Sequence, residues 1–397
     1  MSLQNKPLIE ITESDLQSLI DNAYSEMKVI EYKQLLPGGG DAERKEFLAD
    51  VSSFANAVGG DLIYGMAANK GMPTDICGVS ASDVDGLILS LESRIRDGLA
   101  PRIPGIGTHP VRLQNSNVAI IIRIPRSWAY PHQIIFNHSS KFYCRTSNGK
   151  YIMDVSEIRD AFLASETRID RIRNFRAERL ALIDSERTPI PLYDAPKTVL
   201  HMVPLGAFDP GAKFDLLPLS SDPSKLSPIN GSAVHYRHNF DGILSYSQFQ
   251  SESKAVEYLQ IFRNGTIEAV EAYTIKKRLS DKFIPMYELE RKLMGAFQRF
   301  TTDQKILGVE TPIFIMLSLM GVSGYFIKQC QGYDYELEPI DRDVLLIPEI
   351  IVESLELNDI LVDQVMKPAF DVIWNAAGWP RAMSYDENGK WLNKSQM

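Results

Sequence analysis

The stretch that decides the fold of the first half of the chain is AERKEFLADVSSFANAVGGDLIYGM, residues 42–66. Its apolar residues Phe47, Val51 and Phe54 recur at helical spacing, and Gly59 and Gly60 follow where a helix would stop. Residues 61–66 are then short and apolar enough to form a strand inside a sheet. The sequence therefore predicts a helix over 42–57 followed by a buried strand.

The chain beyond this stretch adds a strand, a hairpin and a helix. VAIIIRI, residues 118–124, is rich in β-branched side chains and predicts a central strand. FYCRTSNGKYI, residues 142–152, alternates in polarity around the turn residues SNGK and predicts a hairpin, with a helix over 154–163 after it. Residues 1–164 are therefore expected to form an α+β domain in which helices pack on a mixed sheet.

The second half of the chain starts after an arginine-rich segment and a proline-rich one. Residues 166–182, ETRIDRIRNFRAERLAL, predict a helix that forms either a second nucleic-acid contact or an oligomer interface. TPIPLYDAPK, residues 188–197, breaks any helix, so we place the domain boundary there and interpret 165–197 as an arginine-rich helix followed by a proline-rich linker. Residues 198–397 then predict a second α+β domain, whose role no motif indicates. Its strands are expected near 198–203, 242–246, 258–262, 266–273 and 313–320, and its helices near 286–300 and 359–377.

Composition and charge exclude several classes of protein. The chain has 397 residues, 44% of them hydrophobic and 23% charged, which is the average of globular proteins and excludes fibrous or wholly disordered chains. A formal net charge of -9 argues against a surface that attracts phosphates everywhere, so a nucleic-acid site has to be local. The three cysteines are far apart and predict neither a disulfide framework nor a structural zinc site.

Membrane insertion and secretion are not indicated either. The most apolar stretch, residues 306–327, is interrupted by Glu310 and Pro312 and leaves too short an uncharged span to cross a bilayer. The first fifteen residues lack the basic and apolar segments of a secretory signal. We therefore expect a cytoplasmic protein without a membrane span.

Two glutamates and a lysine near residue 30 are the first candidates for chemistry. In SEMKVIEYK, Glu31 and Lys33 fall on one face if residues 29–33 form a strand, and Glu26 stands five residues earlier. Two carboxylates could hold Mg²⁺ or Mn²⁺, and a lysine beside them could orient a water against a phosphodiester. The alternative is a solvated ion pair on an exposed strand.

The order of several motifs resembles the Schlafen AlbA-like domain. These motifs are VIEYK at 29–33, SSFANAVGGDLIYGM at 52–66, Pro131-His132, and FYCRTSNGKYIMDVSEIRDAF at 142–162. The resemblance covers roughly residues 22–163. It implies a mixed sheet with helices and a function connected with nucleic acid, in a regulatory setting such as transcription or in defence.

The resemblance also assigns the acidic residues and the lysine. Glu26, Glu31 and Lys33 match family positions that are catalytic in members that cleave RNA, where the two glutamates resemble metal ligands. The third acidic ligand is missing at its expected place, because residues 66–69 read MAAN, and Asp61 or Asp75 would have to substitute from positions that do not match. The sequence therefore favours nucleic-acid binding without cleavage over a metal-dependent nuclease. No cofactor is indicated apart from the Mg²⁺ or Mn²⁺ that these glutamates would hold.

A set of basic and aromatic residues in the same segment predicts phosphate contacts. Arg145 matches a recurrent arginine of the family, and its expected companions could pair with phosphate oxygens or stack on bases. The predicted nucleic-acid-binding residues are Arg123, Arg126, Lys141, Tyr143, Arg145 and Lys150. The alternative is ordinary surface charge.

The sequence thus predicts a nucleic-acid-binding protein in which Glu26, Glu31 and Lys33 line the groove, without distinguishing RNA from DNA. The alternatives are a metal-dependent endonuclease or RNase and a non-catalytic oligomeric scaffold. A homo-oligomer is expected in any case. His235 and His238 in HYRH have no cysteine near them, and we interpret them as surface histidines rather than a metal pair.

Overall fold

The computed structural model of the chain describes residues 3, 6–209, 211–231, 235–248, 253–275, 282–327, 338–353, 355 and 359–392. Its contacts divide the chain into two compact units, Met1–Thr167 and Arg168–Met397. Helices and mixed sheets occur in both, which confirms the predicted α+β class. Within the described residues, no helix has both the length and the apolar character needed to cross a membrane.

Unit 1 contains three complete α-helices and ten strands within its described residues. The helices are α1 (Glu13–Asp21), α2 (Asp41–Ala55) and α3 (Val84–Gly98). The strands are β1 (Ile30–Lys33), β2 (Gly60–Tyr64), β3 (Met66–Asn69), β4 (Met72–Ile76), β5 (Leu99–Ala100), β6 (Gly107–Arg112), β7 (Val118–Ile124), β8 (Gln133–Ile134), β9 (Tyr143–Thr146) and β10 (Gly149–Ile152).

The main sheet of unit 1 has the strand order β1-β2-β7-β6 and is buried on both faces. Because strand side chains alternate, Leu62 and Ile122 face a core that contains α2, whereas Ile63 and Ile121 face a second core that contains α1. The predicted strand over 118–124 is confirmed as β7. The strand predicted over 61–66 ends instead before Gly65, whose φ of 87° turns the chain.

One long helix, α4 (Val155–Asp184), replaces the two helices that the sequence predicted over 154–163 and 166–182. The division between the two units falls inside this helix, at 167/168. The break expected between the two helices is missing because residues 163–166, LASE, contain neither proline nor glycine.

Unit 2 is built on a sheet with the strand order β12-β13-β14-β15-β11-β17-β19, in which β20 also pairs with β17. Its strands are β11 (Lys197–Pro204), β12 (His235–His238), β13 (Gly242–Gln248), β14 (Ala255–Phe262), β15 (Ile267–Glu271), β16 (Phe283–Ile284), β17 (Ile313–Met320), β18 (Phe326–Ile327), β19 (Val344–Leu346) and β20 (Ile350–Val352). Its helices are α5 (Leu217–Ser220), α6 (Met286–Ile306) and α7 (Asp359–Asn375). The larger core of this unit lies between the sheet and the helices α6 and α7.

The arginines of α4 from residue 168 onward bind groups of unit 2. Arg179 donates to both carboxylate oxygens of Glu268 at 2.7 Å, and the buried Arg176 donates to the Leu317 carbonyl at 2.7 Å. The remaining contacts are Arg168 with Asp209, Arg171 with the Phe208 carbonyl, and Arg173 with Glu349. These contacts favour neither a nucleic-acid contact nor an oligomer interface, the two roles that the sequence predicted. They fasten the second part of α4 to the rest of unit 2.

Candidate functional site

Strand β1 and helix α2 bring Glu31, Lys33 and Asp50 together on one face of the sheet in unit 1. Glu31 is paired with Leu62 of β2 and therefore points toward α2, as does Lys33 two residues later. The Lys33 ammonium lies 2.8 Å from Glu31 Oε1 and 3.4 Å from Asp50 Oδ2. The sequence predicted the Glu31–Lys33 pair, but it did not identify Asp50.

The β9–β10 hairpin adds two cations to this group. Arg145 and Lys150 are partners in the antiparallel register, so both side chains lie on one face of the hairpin. Lys150 Nζ lies 2.6 Å from Asp50 Oδ1, and Arg145 Nη2 donates to Glu31 Oε2. We call these five residues, Glu31, Lys33, Asp50, Arg145 and Lys150, the charge cluster.

The side chain of Asn56 fixes the hairpin against the end of α2. Its Nδ2 donates to the carbonyls of His132 and Tyr143 at 3.0 and 2.8 Å, and its Oδ1 accepts the His132 backbone N–H at 2.7 Å. Asn56 therefore bridges the end of α2, the loop at His132 and strand β9. The Arg145 guanidinium lies 3.9 Å from the centre of the Phe54 ring, so the helix also supports the hairpin through a cation–π contact.

Burial and ion pairing shift the pKa values of the cluster in different directions. Burial raises the pKa of Glu31, but the hydrogen bond from Lys33 and the nearby Arg145 outweigh this and hold it below its usual value. Burial also raises the pKa of Asp50, which the two lysines offset only in part. For Lys33, burial lowers the pKa, and Asp50 and Glu31 reverse the effect and raise it. Lys33 is therefore a stable cation, and 29% of its side chain remains exposed.

The five residues of the charge cluster carry three cations and two carboxylates, and Glu46, which is paired with Lys150, adds a third carboxylate that balances the charges. Glu46 lies four residues before Asp50 in α2, and its side chain is 62% exposed. Exposed carboxylates are strongly hydrated and contribute little to a pair. The cluster can present ammonium groups to an anion, provided that the anion replaces part of the contacts to Asp50 and Glu46.

Glu26 lies at the open edge of β1. Its Oε1 accepts the backbone N–H of Tyr32 at 3.0 Å, and its own N–H donates to the Gly71 carbonyl. Burial raises the pKa of Glu26, the Tyr32 hydrogen bond opposes this, and the neighbouring Glu31 adds to it.

The two glutamates are both occupied by protein donors. Both oxygens of Glu31 bind cations of the cluster, and one oxygen of Glu26 binds backbone. Among the residues that the structure describes, no group of three or more histidine, cysteine or acidic side chains is arranged to hold a metal ion. The donor set does not fit Mg²⁺ or Mn²⁺, which prefer several carboxylate, carbonyl or water oxygens.

Arg123 does not belong to the same surface as Arg145. It is paired with Asp61 on the opposite face of the sheet, where its guanidinium lies 2.8 Å from Asp61 Oδ1. It also donates to the Leu3 and Lys6 carbonyls. The register of β2 and β7 therefore places both Arg123 and the suggested substitute ligand Asp61 away from the charge cluster. The other substitute, Asp75, is exposed on β4.

The other predicted contacts are spread around the hairpin. Lys141 is exposed just before β9, and Tyr143 is half-buried against the core that contains α2. Arg126 is partly exposed after β7 and has partners of its own. Only Arg145 and Lys150 of the six predicted residues join Glu31 and Lys33.

The histidines of unit 2 do not form a metal pair. His235 and His238 lie three residues apart on β12 and therefore point to opposite faces of the strand. Both are exposed, as the sequence predicted. Of the three cysteines, Cys77 and Cys144 are free thiols, and Cys330 lies outside the described residues.

Comparison with known proteins finds a family match within unit 1. The family model "Schlafen, AlbA_2" matches residues 26–154. No curated protein matches the chain. Among solved structures, the chain is similar to the DIP2311 protein from Corynebacterium diphtheriae, with 16% identity over 36% of this chain and 26% of that one, at a TM-score of 0.25. This chain thus spans about a quarter of that relative's length. The match over 26–154 confirms the resemblance that the sequence motifs indicated. A nucleic-acid-related function is consistent with this family. Residues 26–154 are a Schlafen AlbA_2 domain.

Proposed function

We propose that the Schlafen AlbA_2 domain binds nucleic acid through the charge cluster and does not cleave it. The observation that supports the proposal is the convergence of Lys33, Arg145 and Lys150 around the half-buried Glu31 and the buried Asp50, with the exposed Glu46 as a further partner of Lys150. Ammonium groups that share one carboxylate keep unused N–H donors, and phosphate oxygens are strong acceptors for them.

The exposure of the lysines sets how a phosphate would bind. Lys33 and Lys150 keep 29% and 18% of their side chains exposed, whereas only 2% of the Arg145 side chain is exposed. The two ammonium groups therefore contact the phosphate, and Arg145 acts as a positioning residue that holds Glu31 and the hairpin. Cleavage is disfavoured because both oxygens of Glu31 are already bound to cations.

The test is fluorescence anisotropy of the full chain with labelled single-stranded RNA and DNA over a series of salt concentrations. Binding should weaken as salt rises, and Lys33→Ala or Lys150→Ala should reduce the slope of log K against log salt by about 0.7 for single strands. Lys6→Ala is the matched control, since Lys6 is also ion-paired, to Asp15 at 2.7 Å, but lies outside the cluster. Affinity that is indifferent to salt contradicts the proposal.

A parallel incubation with Mn²⁺ or with chelator separates binding from cleavage. The proposal expects intact oligonucleotide in both samples. Cleavage that requires Mn²⁺ and disappears in Glu31→Ala would replace it by a metal-dependent nuclease.

A further inference from the structure

The beginning of helix α4, residues 155–166, has an exposed face with three large apolar side chains. Val155, Phe162 and Leu163 are 75%, 47% and 54% exposed. They stand at positions i, i+7 and i+8, a spacing that places side chains on one face of an α-helix. The buried Ala161 lies on the other side of the helix. Single exposed apolar residues are ordinary, but three on one helix face indicate a contact surface.

The ring of Phe162 is held in place although it is half exposed. Phe142, which lies just before β9, packs against it edge to face, with ring centres 6.1 Å apart at an interplanar angle of 77°. A partner that binds this face therefore meets a ring that is already ordered, and it loses less side-chain freedom on association.

The same face of α4 carries one cation and one anion. Arg159 and Glu166 are both exposed and lie seven residues apart. Seven residues span about 10 Å along a helix, which is too far for these two side chains to pair with each other. Neither side chain has a hydrogen-bond or ion-pair partner among the residues that the structure describes. The face is therefore neutral, with an apolar centre between two unpaired charges.

The order of these groups along α4 is self-complementary. If a second copy of the helix lies antiparallel across a two-fold axis between residues 162 and 163, Arg159 of each copy faces Glu166 of the other. Phe162 of each copy then faces Leu163 of the other. A parallel pair would instead place arginine against arginine and glutamate against glutamate, which is unfavourable. The charges therefore fit a second copy of the chain in antiparallel orientation.

A nucleic acid fits this face poorly. Residues 154–167 contain one arginine and four acidic residues, a net charge of 1 minus 4, or -3, and a phosphate backbone would be repelled. The acidic residues are Asp154, Glu157, Asp160 and Glu166. A second copy avoids this repulsion, because only Glu166 belongs to the exposed face and it lies opposite an arginine.

From this arrangement we infer that the α4 face comprising Val155, Arg159, Phe162, Leu163 and Glu166 is the interface of a homodimer in which two α4 helices pack antiparallel. A contact of about three helical turns is at the small end of protein interfaces, so the dimer dissociates on dilution. The interface uses none of the residues of the charge cluster. It also precedes most of the arginine-rich segment in which the sequence predicted an oligomer interface.

The test is sedimentation velocity of the full chain over a series of protein concentrations. Wild type should shift from monomer to dimer as the concentration rises. Arg159→Glu and Glu166→Arg each place like charges against each other twice, and each should weaken the dimer about tenfold. An equimolar mixture of the two variants should associate again, because both ion pairs form in the heterodimer. The double variant Arg159→Glu/Glu166→Arg should associate with itself for the same reason.

Three further variants complete the experiment. Arg112→Glu is the matched control, because Arg112 is exposed on β6 and lies outside the face, and it should leave the dimer unchanged. Leu163→Ser removes an apolar contact at a side chain that is already 54% exposed, so it should weaken the dimer without unfolding the chain. Lys33→Ala/Lys150→Ala should leave the dimer intact, which separates this inference from the proposed function.

A chain that stays monomeric at every concentration overturns the inference. A dimer that neither Arg159→Glu nor Leu163→Ser weakens uses another surface and overturns it as well. If the mixture of the two single variants does not associate, the antiparallel arrangement is wrong. If Arg159→Glu loses oligonucleotide affinity while its dimer persists, the face contacts nucleic acid instead.

Discussion

Replacing Glu268 by glutamine should destabilise unit 2 by about 3 kcal/mol at pH 7. The carboxylate is fully buried and accepts four hydrogen bonds, two from Arg179 and one each from His201 and Tyr258. Burial raises its pKa, but the hydrogen bonds from Arg179 and His201 outweigh this and lower it from 4.5 to about 2. A shift of this size corresponds to about 3 kcal/mol of folding free energy. Losing one partner of a buried ion pair costs a similar ~3–5 kcal/mol.

The pH dependence has a definite sign. Because the folded-state pKa of Glu268 lies below the unfolded one, its contribution is complete above pH 4.5 and is lost as the pH falls toward 2. The free energies of unfolding of wild type and Glu268→Gln should therefore differ most at neutral pH and become similar in acid.

Urea unfolding of the full chain, followed by tryptophan fluorescence, measures the difference. Glu288→Gln is the matched control, because its ion pair with Lys292 leaves half of the carboxylate exposed and should contribute less than ~1 kcal/mol. The view that Glu268 fastens α4 to its sheet would be refuted by equal losses of unfolding free energy in the two variants. A Glu268→Gln loss of unfolding free energy that does not shrink between pH 5 and pH 3 would refute it as well.

Four further outcomes are expected. Asp50→Asn should tighten oligonucleotide binding about tenfold, ~1.4 kcal/mol, because it frees the two lysines; weaker binding in anisotropy would show that Asp50 positions them instead. Phe54→Ala should cost unit 1 about 3–5 kcal/mol in urea unfolding, since its ring is fully buried. Burial lowers the pKa of His132 to about 4, so unit 1 should lose stability as pH falls from 6.5 to 4, and His132→Gln should flatten that dependence. Arg173→Gln should leave oligonucleotide affinity unchanged, because its partner is Glu349.

Local sequence patterns predicted most elements of the fold. The β-branched run at Val118–Ile124 became a strand with those bounds, and the run at Ile313–Met320 did the same. Asn264-Gly265, a pair that tight hairpin turns favour, forms the turn between β14 and β15. In each case the deciding interaction lies within a few residues along the chain, so that one sequence is enough to reveal it.

The site was only half predictable because it depends on pairing between distant segments. Arg123 and Arg145 look alike in sequence, and only the registers of β7 and β9 show that they occupy different places. Asp50 carried one signal that was missed. It follows Glu46 by four residues in α2, and two like charges at that spacing are unfavourable unless a cation lies between them. That cation is Lys150, 100 residues later in the chain.

The position of β11 constrains the order in which unit 2 can be assembled during synthesis. This strand is the first of the unit to leave the ribosome, yet its two neighbours are β15 and β17, which end at Glu271 and Met320. Until residue 320 has emerged, one edge of β11 exposes unpaired backbone N–H and C=O groups to solvent. We expect the nascent chain to require shielding by a chaperone over this interval, whereas unit 1 can complete its sheet as soon as β7 has been made.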